Sequence, residues 1–278
     1  MHERLLNYVR EEDLFLPTDT ILLGVSGGID SMVMADLFLK AGLKFGIAHC
    51  NFKLRDSESD GDETFVREFA EKNNIPVHSR SFDTRKVATE GSISIQMAAR
   101  NLRIEWFTSL CHSKGYTCIA LAHHQDDQHE TFFINLFRGT GIAGLRGIPP
   151  RSGMLVHPLL FASRKELMNY ASKHDISYRE DRSNHETEYL RNKVRHLLIP
   201  LVEQIMPGSS ATLTATINNL KALDHIYRHH LEDTWKALST VENEIVKIEP
   251  SCMLHPNIIG AYEKNKSKMM SQDGYINN

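Results

Sequence analysis

No stretch of this 278-residue chain approaches the roughly 18 consecutive apolar residues that a bilayer-spanning helix needs, so a helical membrane protein is excluded. Met1 to Arg10 mixes charges with apolar side chains and shows no apolar run ending in a small-residue cleavage site. No secretory signal is read there, and the expected compartment is the cytoplasm. Cysteine is scarce: Cys50, Cys111, Cys118 and Cys252 stand far apart, with no Cys-x-x-Cys pair of the kind that holds zinc or iron–sulfur clusters. All four read as reduced and structural. Two common nucleotide-binding signatures are also missing, the G-x-x-x-x-G-K-[ST] loop and the G-x-G-x-x-G turn. No internal repeat or low-complexity tract occurs. What is present is 41% hydrophobic and 24% charged residues, the composition of an ordinary globular protein rather than a disordered one. The length suits one generous domain or two small ones.

A net charge of −3 argues against a general nucleic-acid coat, but the charge is unevenly spread. Residues 1–130 carry 14 basic and 20 acidic side chains, residues 131–200 carry 11 and 6, and residues 201–278 carry 7 and 9. The middle is a basic island, containing Arg138, Arg146, Arg151 and Arg164, and is a candidate polyanion surface.

Short runs rich in branched residues recur at Thr20 to Val25, Lys44 to His49, Pro76 to Phe82 and Thr117 to Ala122, with a weaker one at Met154 to His157. Helical spacing fills the intervals at Ser31 to Lys40, Glu58 to Asn73, Ser94 to Lys114 and Asp126 to Phe137. This alternation predicts an α/β fold, a doubly wound parallel sheet with helices on both faces, whose ligands sit at the carboxyl edge of the strands. Beyond residue 158 the pattern changes. Ser163 caps a helix to about His174, a second helix spans about Glu188 to Leu198 and stops at Pro200, and a long one spans Ala211 to about Leu238. Glu244 to Ile248 has strand character, and the polar tail from Lys264 is expected to fray. A division follows into a sheet domain at 1–205 and a small, mostly helical C-terminal region at 206–278.

The first strand leads directly into Ser26-Gly27-Gly28-Ile29-Asp30-Ser31 and a helix. Two glycines there let successive N–H groups and the helix amino end converge on an anion, making a candidate phosphate cradle. The fourth strand leads into Ala122-His123-His124-Gln125-Asp126-Asp127-Gln128-His129-Glu130-Thr131 at the same sheet edge. Asp127 and Glu130, three residues apart, share a helix face. Carboxylates for a magnesium ion or an incoming cation, and a histidine or arginine for phosphoryl charge, are the parts a nucleotide reaction needs.

The order Ser-Gly-Gly-x-Asp-Ser after a leading strand resembles the PP-loop of the ATP-pyrophosphatase superfamily. Further blocks are similar to the tRNA(Ile)-lysidine synthase family: His49-Cys50-Asn51-Phe52-Lys53-Leu54-Arg55, Ala98-Ala99-Arg100-Asn101-Leu102-Arg103, His123-His124-x-Asp126-Asp127-x-x-Glu130-Thr131 with Arg138-Gly139-Thr140-Gly141, and Asp181-x-Ser183-Asn184 followed by Tyr189-x-Arg191-Asn192-x-x-Arg195. The resemblance covers about residues 18 to 200. It implies a reaction in which ATP adenylates the first-anticodon-position cytidine of an isoleucine tRNA with a CAU anticodon. The side-chain amine of free L-lysine then displaces AMP to form lysidine. It also implies that Ser26, Gly27, Gly28, Ile29, Asp30 and Ser31 hold ATP phosphates, that His49 shapes the adenosine pocket, and that Asp30 and Asp127 bind Mg2+. By the same resemblance Asp30, Asp127 and Glu130 lie near metal and lysine, while Arg103, His123 and Arg195 face the phosphoryl centre. Arg138, Arg146, Arg151 and Arg191 are read as tRNA contacts.

The chain departs from the family in having Phe52 and Lys53 where a histidine and a glycine are usual. Many family members also carry one or two further domains that clamp the tRNA, and the sequence leaves open whether residues 206–278 are an incomplete such domain or a naturally short form. Two rivals stand beside this reading. Another PP-loop tRNA-modifying enzyme, such as a thiolase, would bring a cysteine pair or iron–sulfur triad, and an amidotransferase-linked relative would bring a glutaminase. A non-catalytic RNA-binding relative would be expected to lose the acidic residues first, yet Asp30, Asp127 and Glu130 are all present. No membrane partner is expected, and the sequence leaves a homodimer open.

Overall fold

The computed structural model describes residues 1–54, 57–179, 190–242 and 245–248. Four parallel strands form its centre: β1 (Thr20–Gly24), β2 (Lys44–Asn51), β3 (Val77–Ser81) and β4 (Cys118–Leu121). Two short strands extend the sheet, β5 (Arg151–Ser152) and β6 (Leu155–Val156), in the order β3-β2-β1-β4-β6-β5. All neighbours are parallel except the β5–β6 edge pair. Both faces of the central strands are covered, as parallel sheets require. Alternation along β1 shows how: Ile21 and Leu23 point into one core with Val33, Leu37 and Phe38, while Leu22 points into the other with Trp106, Phe107 and Ile119.

The crossover helices are α2 (Ile29–Lys40), α3 (Ser57–Lys72) and α5 (Ile95–Lys114). Ser94 caps α5 by accepting from the Met97 N–H at 3.2 Å, and Gly115 ends it in the left-handed region at φ +77°. The chain runs from β1 to β2 and β3 on one side and returns to β4 on the other, so β1 and β4 are neighbours across a topological switch point. Chains leaving adjacent parallel strands in opposite directions open a crevice at the carboxyl edge. α6 (Gln125–Arg138) and the short α7 (Ile142–Leu145) follow β4 on that edge, and α8 (Arg164–Lys173) follows β6. Among elements the periodicity did not predict are α1 (His2–Glu11), α4 (Thr84–Glu90), α7 and β5.

One expectation past residue 188 is corrected. Helix does not stop at Pro200. α9 (Leu190–Lys193) passes through a π turn at Val194–Leu198 into α10 (Ile199–Ile205), with Pro200 in the first turn of α10. A proline lacks only an N–H that a first turn leaves unbonded, and the wide π turn before it absorbs the missing bond. The C-terminal region is mostly helical, with a strand where the sequence has strand character: α11 (Ser209–Leu238) leads into β7 (Ser239–Glu242), antiparallel to β8 (Ile245–Ile248). α11 lies on α6 and α7, where His129 Nε2 meets the Thr214 hydroxyl at 2.8 Å and Arg146 pairs with the buried Asp224 at 3.1 Å.

Candidate active site

The Val25 N–H still bonds to the Ala48 carbonyl, at 3.0 Å, but the next residues leave the sheet. Gly27 takes φ +94°, a conformation costly for any residue with a Cβ. The loop is tied from within: the Ser26 N–H donates to Ser31 Oγ at 3.2 Å, the Gly28 N–H to Ser26 Oγ at 3.3 Å, and Ser31 Oγ donates to the Gly28 carbonyl at 2.9 Å. Gly28 stands at the N-cap of α2 without a side-chain cap, so the first-turn N–H groups stay open to an anion. Ile29 is buried in the core, which leaves it only a backbone part in such a cradle. His49 is also buried, and its Nδ1–H donates to the Val25 carbonyl at 2.9 Å, tying β2 to the start of the loop. Burial holds its pKa below the usual histidine range.

Across the crevice α6 begins with an acidic turn. The Asp127 Oδ2 accepts from the His124 N–H at 2.9 Å, capping the helix and fixing the carboxylate. Its Oδ1 accepts from Arg191 Nη2 at 3.0 Å and Arg195 Nη2 at 3.3 Å. Glu130, fully buried, accepts from Arg191 Nε at 2.6 Å and from Arg195 Nε and Nη2 at 2.5 and 3.2 Å. Two buried carboxylates and two partly exposed guanidinium groups thus form one network, and satisfied partners are the condition for buried charge. Burial pushes the Asp127 carboxyl up, but His124, His123 and Arg191 outweigh it and hold the pKa below the ordinary range. Burial pulls Arg195 down, and Glu130 and Asp127 more than restore it.

Asp30, at the start of α2, faces this network. Its Oδ2 lies 3.3 Å from Arg164 Nη1 and 3.7 Å from His124 Nε2, which is itself 3.5 Å from Asp127 Oδ2. Burial raises the Asp30 pKa against the pull of His124 and Arg164. Asp30 Oδ1 is buried without a partner. Among the described residues no group of three or more histidine, cysteine or acidic side chains could hold a metal by itself. Mg2+ rarely needs one, since it binds one or two carboxylates together with substrate phosphates. Asp30, with its open oxygen, and Asp127 beside it have the chemistry for that arrangement.

His123, just past β4, stands next to His157 with ring centroids 4.8 Å apart. Burial lowers its pKa to about 3, against an opposing pull from Asp127, so the ring is neutral near pH 7. It can act on phosphoryl oxygen as a hydrogen-bonding group, not as a cation. Arg103 on α5 does not join the acidic network. Its charge neighbours are Cys50 and Arg100, its Nε is buried without a partner, and His123 feels its charge.

The four arginines read as a tRNA surface are not gathered into one. Arg138 is exposed at the end of α6. Arg146 is held by Asp224. Arg151 donates to the carbonyls of Asp13 and Leu14, ahead of β1, at 3.2 and 3.1 Å, and its charge is felt by Cys118 at the amino end of β4, away from the crevice. Arg191 belongs to the acidic network. Asp181, Ser183, Asn184, Tyr189 and Arg55 lie outside the described residues. Two residues that the sequence does not assign to the site stand in it: Arg164, which it reads only as part of the basic island, and His157. Arg164, whose place follows from the Ser163–Glu166 capping box at the start of α8, reaches Asp30, and its N–H donates to Asp126 Oδ2 at 2.8 Å. His157 carried no pattern that marks it.

Comparison with known proteins bears on this geometry. Residues 1–202 match the PP-loop domain family. The tRNA(Ile)-lysidine synthase of Bacteroides thetaiotaomicron is 43% identical over 242 residues, which are 87% of this chain and 57% of that protein. The Petrotoga mobilis protein of the same name is 37% identical over 88% of this chain and 79% of its own length. Against the relatives from B. thetaiotaomicron, Porphyromonas gingivalis and Parabacteroides distasonis the chain spans 57%, 58% and 54% of their lengths. The U34-tRNA thiolase NcsA from Methanococcus maripaludis superposes with a TM-score of 0.63 at 18% identity over 78% of each chain, a likeness of fold.

Proposed function

The chain belongs to the tRNA(Ile)-lysidine synthase family of PP-loop proteins, and from that premise we propose that it ligates free L-lysine to the first-anticodon cytidine of an isoleucine tRNA with a CAU anticodon, consuming ATP. In the first step the cytidine ring carbonyl oxygen attacks the α-phosphorus and pyrophosphate leaves. In the second the lysine side-chain amine attacks the ring carbon, AMP leaves with the bridging oxygen, and the amine loses a proton. A tRNA substrate goes with a cytoplasmic location. The observation that carries this reading is the pairing, across one crevice, of an uncapped α2 amino end with the Asp127–Glu130–Arg191–Arg195 network.

Ser26 to Ser31 take the β- and γ-phosphates as a unit through backbone N–H groups. Mg2+ on Asp30 and Asp127 would neutralise charge on the phosphates. His123, neutral, hydrogen-bonds to the α-phosphate, and Arg164 stands beside the loop to meet pyrophosphate charge. Asp127 and Glu130 are the carboxylates on which a lysine ammonium can replace the guanidinium groups, which are then free for phosphoryl charge. A thiolase-type reaction is less well supported. Burial pushes the thiols of Cys50, Cys111 and Cys118 up to about 12, 11 and 12, which leaves them protonated and poor as nucleophiles or cluster ligands.

The test is mass spectrometry of nucleosides from unmodified CAU-anticodon isoleucine tRNA after incubation with the chain, ATP, Mg2+ and lysine. A lysidine peak with AMP and pyrophosphate is expected. Formation of ADP, or AMP without lysidine, would remove the proposed second step or the whole mechanism.

A further inference from the structure

β4 and β6 are parallel neighbours in which Ala120 pairs with Val156, so the residues that follow each strand emerge at the same sheet edge. His123 follows one and His157 the other. His157 is 6% exposed and is fastened twice to a stiff Pro149-Pro150 turn: its N–H donates to the Pro150 carbonyl at 2.9 Å and its Nδ1–H to the Pro149 carbonyl at 2.9 Å. That second bond fixes the tautomer, because a carbonyl accepts only from a protonated Nδ1. The His157 ring then meets the His123 ring at 4.8 Å and 63°, edge to face.

His123 needs such a support. Its Nδ1 is buried with no hydrogen-bond partner. The torsion that turns a histidine ring is broad and two-fold, so a ring without a bond of its own is free to flip unless packing stops it. With Nδ1 turned inward, Nε2 is the nitrogen left for the crevice. The charged groups that act on His123 are Asp127 on α6, Arg191 on α9 and Arg103 on α5, and none of them makes a hydrogen bond to its ring that would hold it. His157 is the remaining neighbour in that set and the one with a rigid anchorage.

We infer that His157 is a positioning residue that acts through His123, fixing its ring so that Nε2 is presented to the crevice. The inference rests on the reading of this crevice as a phosphoryl-transfer site, and it adds a residue that neither the loop nor the acidic network contains. Misplacing one contacting group by a fraction of an ångström is enough to slow a step that depends on alignment.

The test uses the full chain with two variants. His157→Asn keeps a donor for the Pro149 carbonyl and removes the ring; His157→Phe keeps a ring and removes the donor. Single-turnover AMP formation is expected to fall about tenfold in H157N, with KM for ATP unchanged, and by less in H157F. In a His123→Ala background H157N is expected to change the rate less than about twofold, because the residue it acts through is gone. Equal losses in both backgrounds would mean that His157 is merely structural and would overturn the inference. A second measurement does not need turnover. In 15N-histidine spectra, His123 is expected to show one tautomer in the wild-type chain and averaged shifts in H157N. Unchanged His123 shifts would overturn the inference even if rates fall. Changed shifts in a chain that makes no AMP would uphold the positioning and count instead against the proposed reaction.

Discussion

Arg195 shows how a residue read from the sequence as a phosphoryl-facing cation acquires a second duty in the fold. It is bonded to a fully buried Glu130 and to Asp127. Removing it leaves Arg191 as the remaining guanidinium on a carboxylate with no access to water, and breaking one partner of a buried pair costs roughly 3 kcal/mol. Arg195→Ala is therefore expected to lose activity and also to shift the urea midpoint, where a cation that only faced the phosphoryl centre would cost activity alone. Urea unfolding separates the two, and an unshifted midpoint would show that the network rearranges freely. His123 supports a second prediction at this scale. Its folded pKa near 3 lies below an unfolded value of about 6.5, so between those pH values the unfolded chain binds the extra proton. Stability is therefore lost as pH falls from 7 towards 3, by roughly 2 kcal/mol from this ring alone by pH 5. His49, His129 and His157, lowered by burial in the same direction, add to the loss, while the raised Asp30 opposes it. A midpoint that is flat from pH 7 to 5 would contradict the buried, neutral ring.

At the scale of elements, what could be read in the chain depended on how local the cause was. Thr20, Lys44 and the Ser94 cap mark the starts of β1, β2 and α5 because apolar runs, helical spacing and capping act over a few residues. α4 escaped because seven residues, about two turns capped by Asp83, are too few to show a period. The π turn before Pro200 escaped because nothing in its local sequence marks it, and the residues around it, Arg191 and Arg195, bond to Glu130 on α6, more than sixty positions away. Gly46 on β2 belongs to the same class. No turn marks it, yet a Cβ there would run into the Tyr116 hydroxyl, which meets His78 Nε2 at 2.9 Å. Gly46→Ala forces that ring to move and is expected to cost about 1 to 3 kcal/mol, as overpacking does. Thermal unfolding checks it, and an unchanged Tm would mean that Tyr116 swings aside without loss.

For the whole molecule, the loop and the acidic turn with His123 before it were legible because they follow β1 and β4, and parallel strands carry their ends to one edge. The basic island was not, because net charge along a chain does not say which way each side chain faces. Arg146 and Arg191 are taken up by Asp224, Asp127 and Glu130, Arg164 turns to Asp30, and Arg151 fastens the segment ahead of β1. Arg138, exposed at the far end of α6, remains open to a phosphate from the same island. Taking one cation away from a bound phosphate lowers the slope of log affinity against log salt by about 1. Titrations of CAU-anticodon tRNA at several salt concentrations should therefore show a shallower slope for Arg138→Ala and an unchanged one for Arg151→Ala, whose effect should appear in the urea midpoint instead. Equal reductions in slope for both variants would place Arg151 on the RNA and require the amino edge of the sheet to be part of the RNA-binding surface.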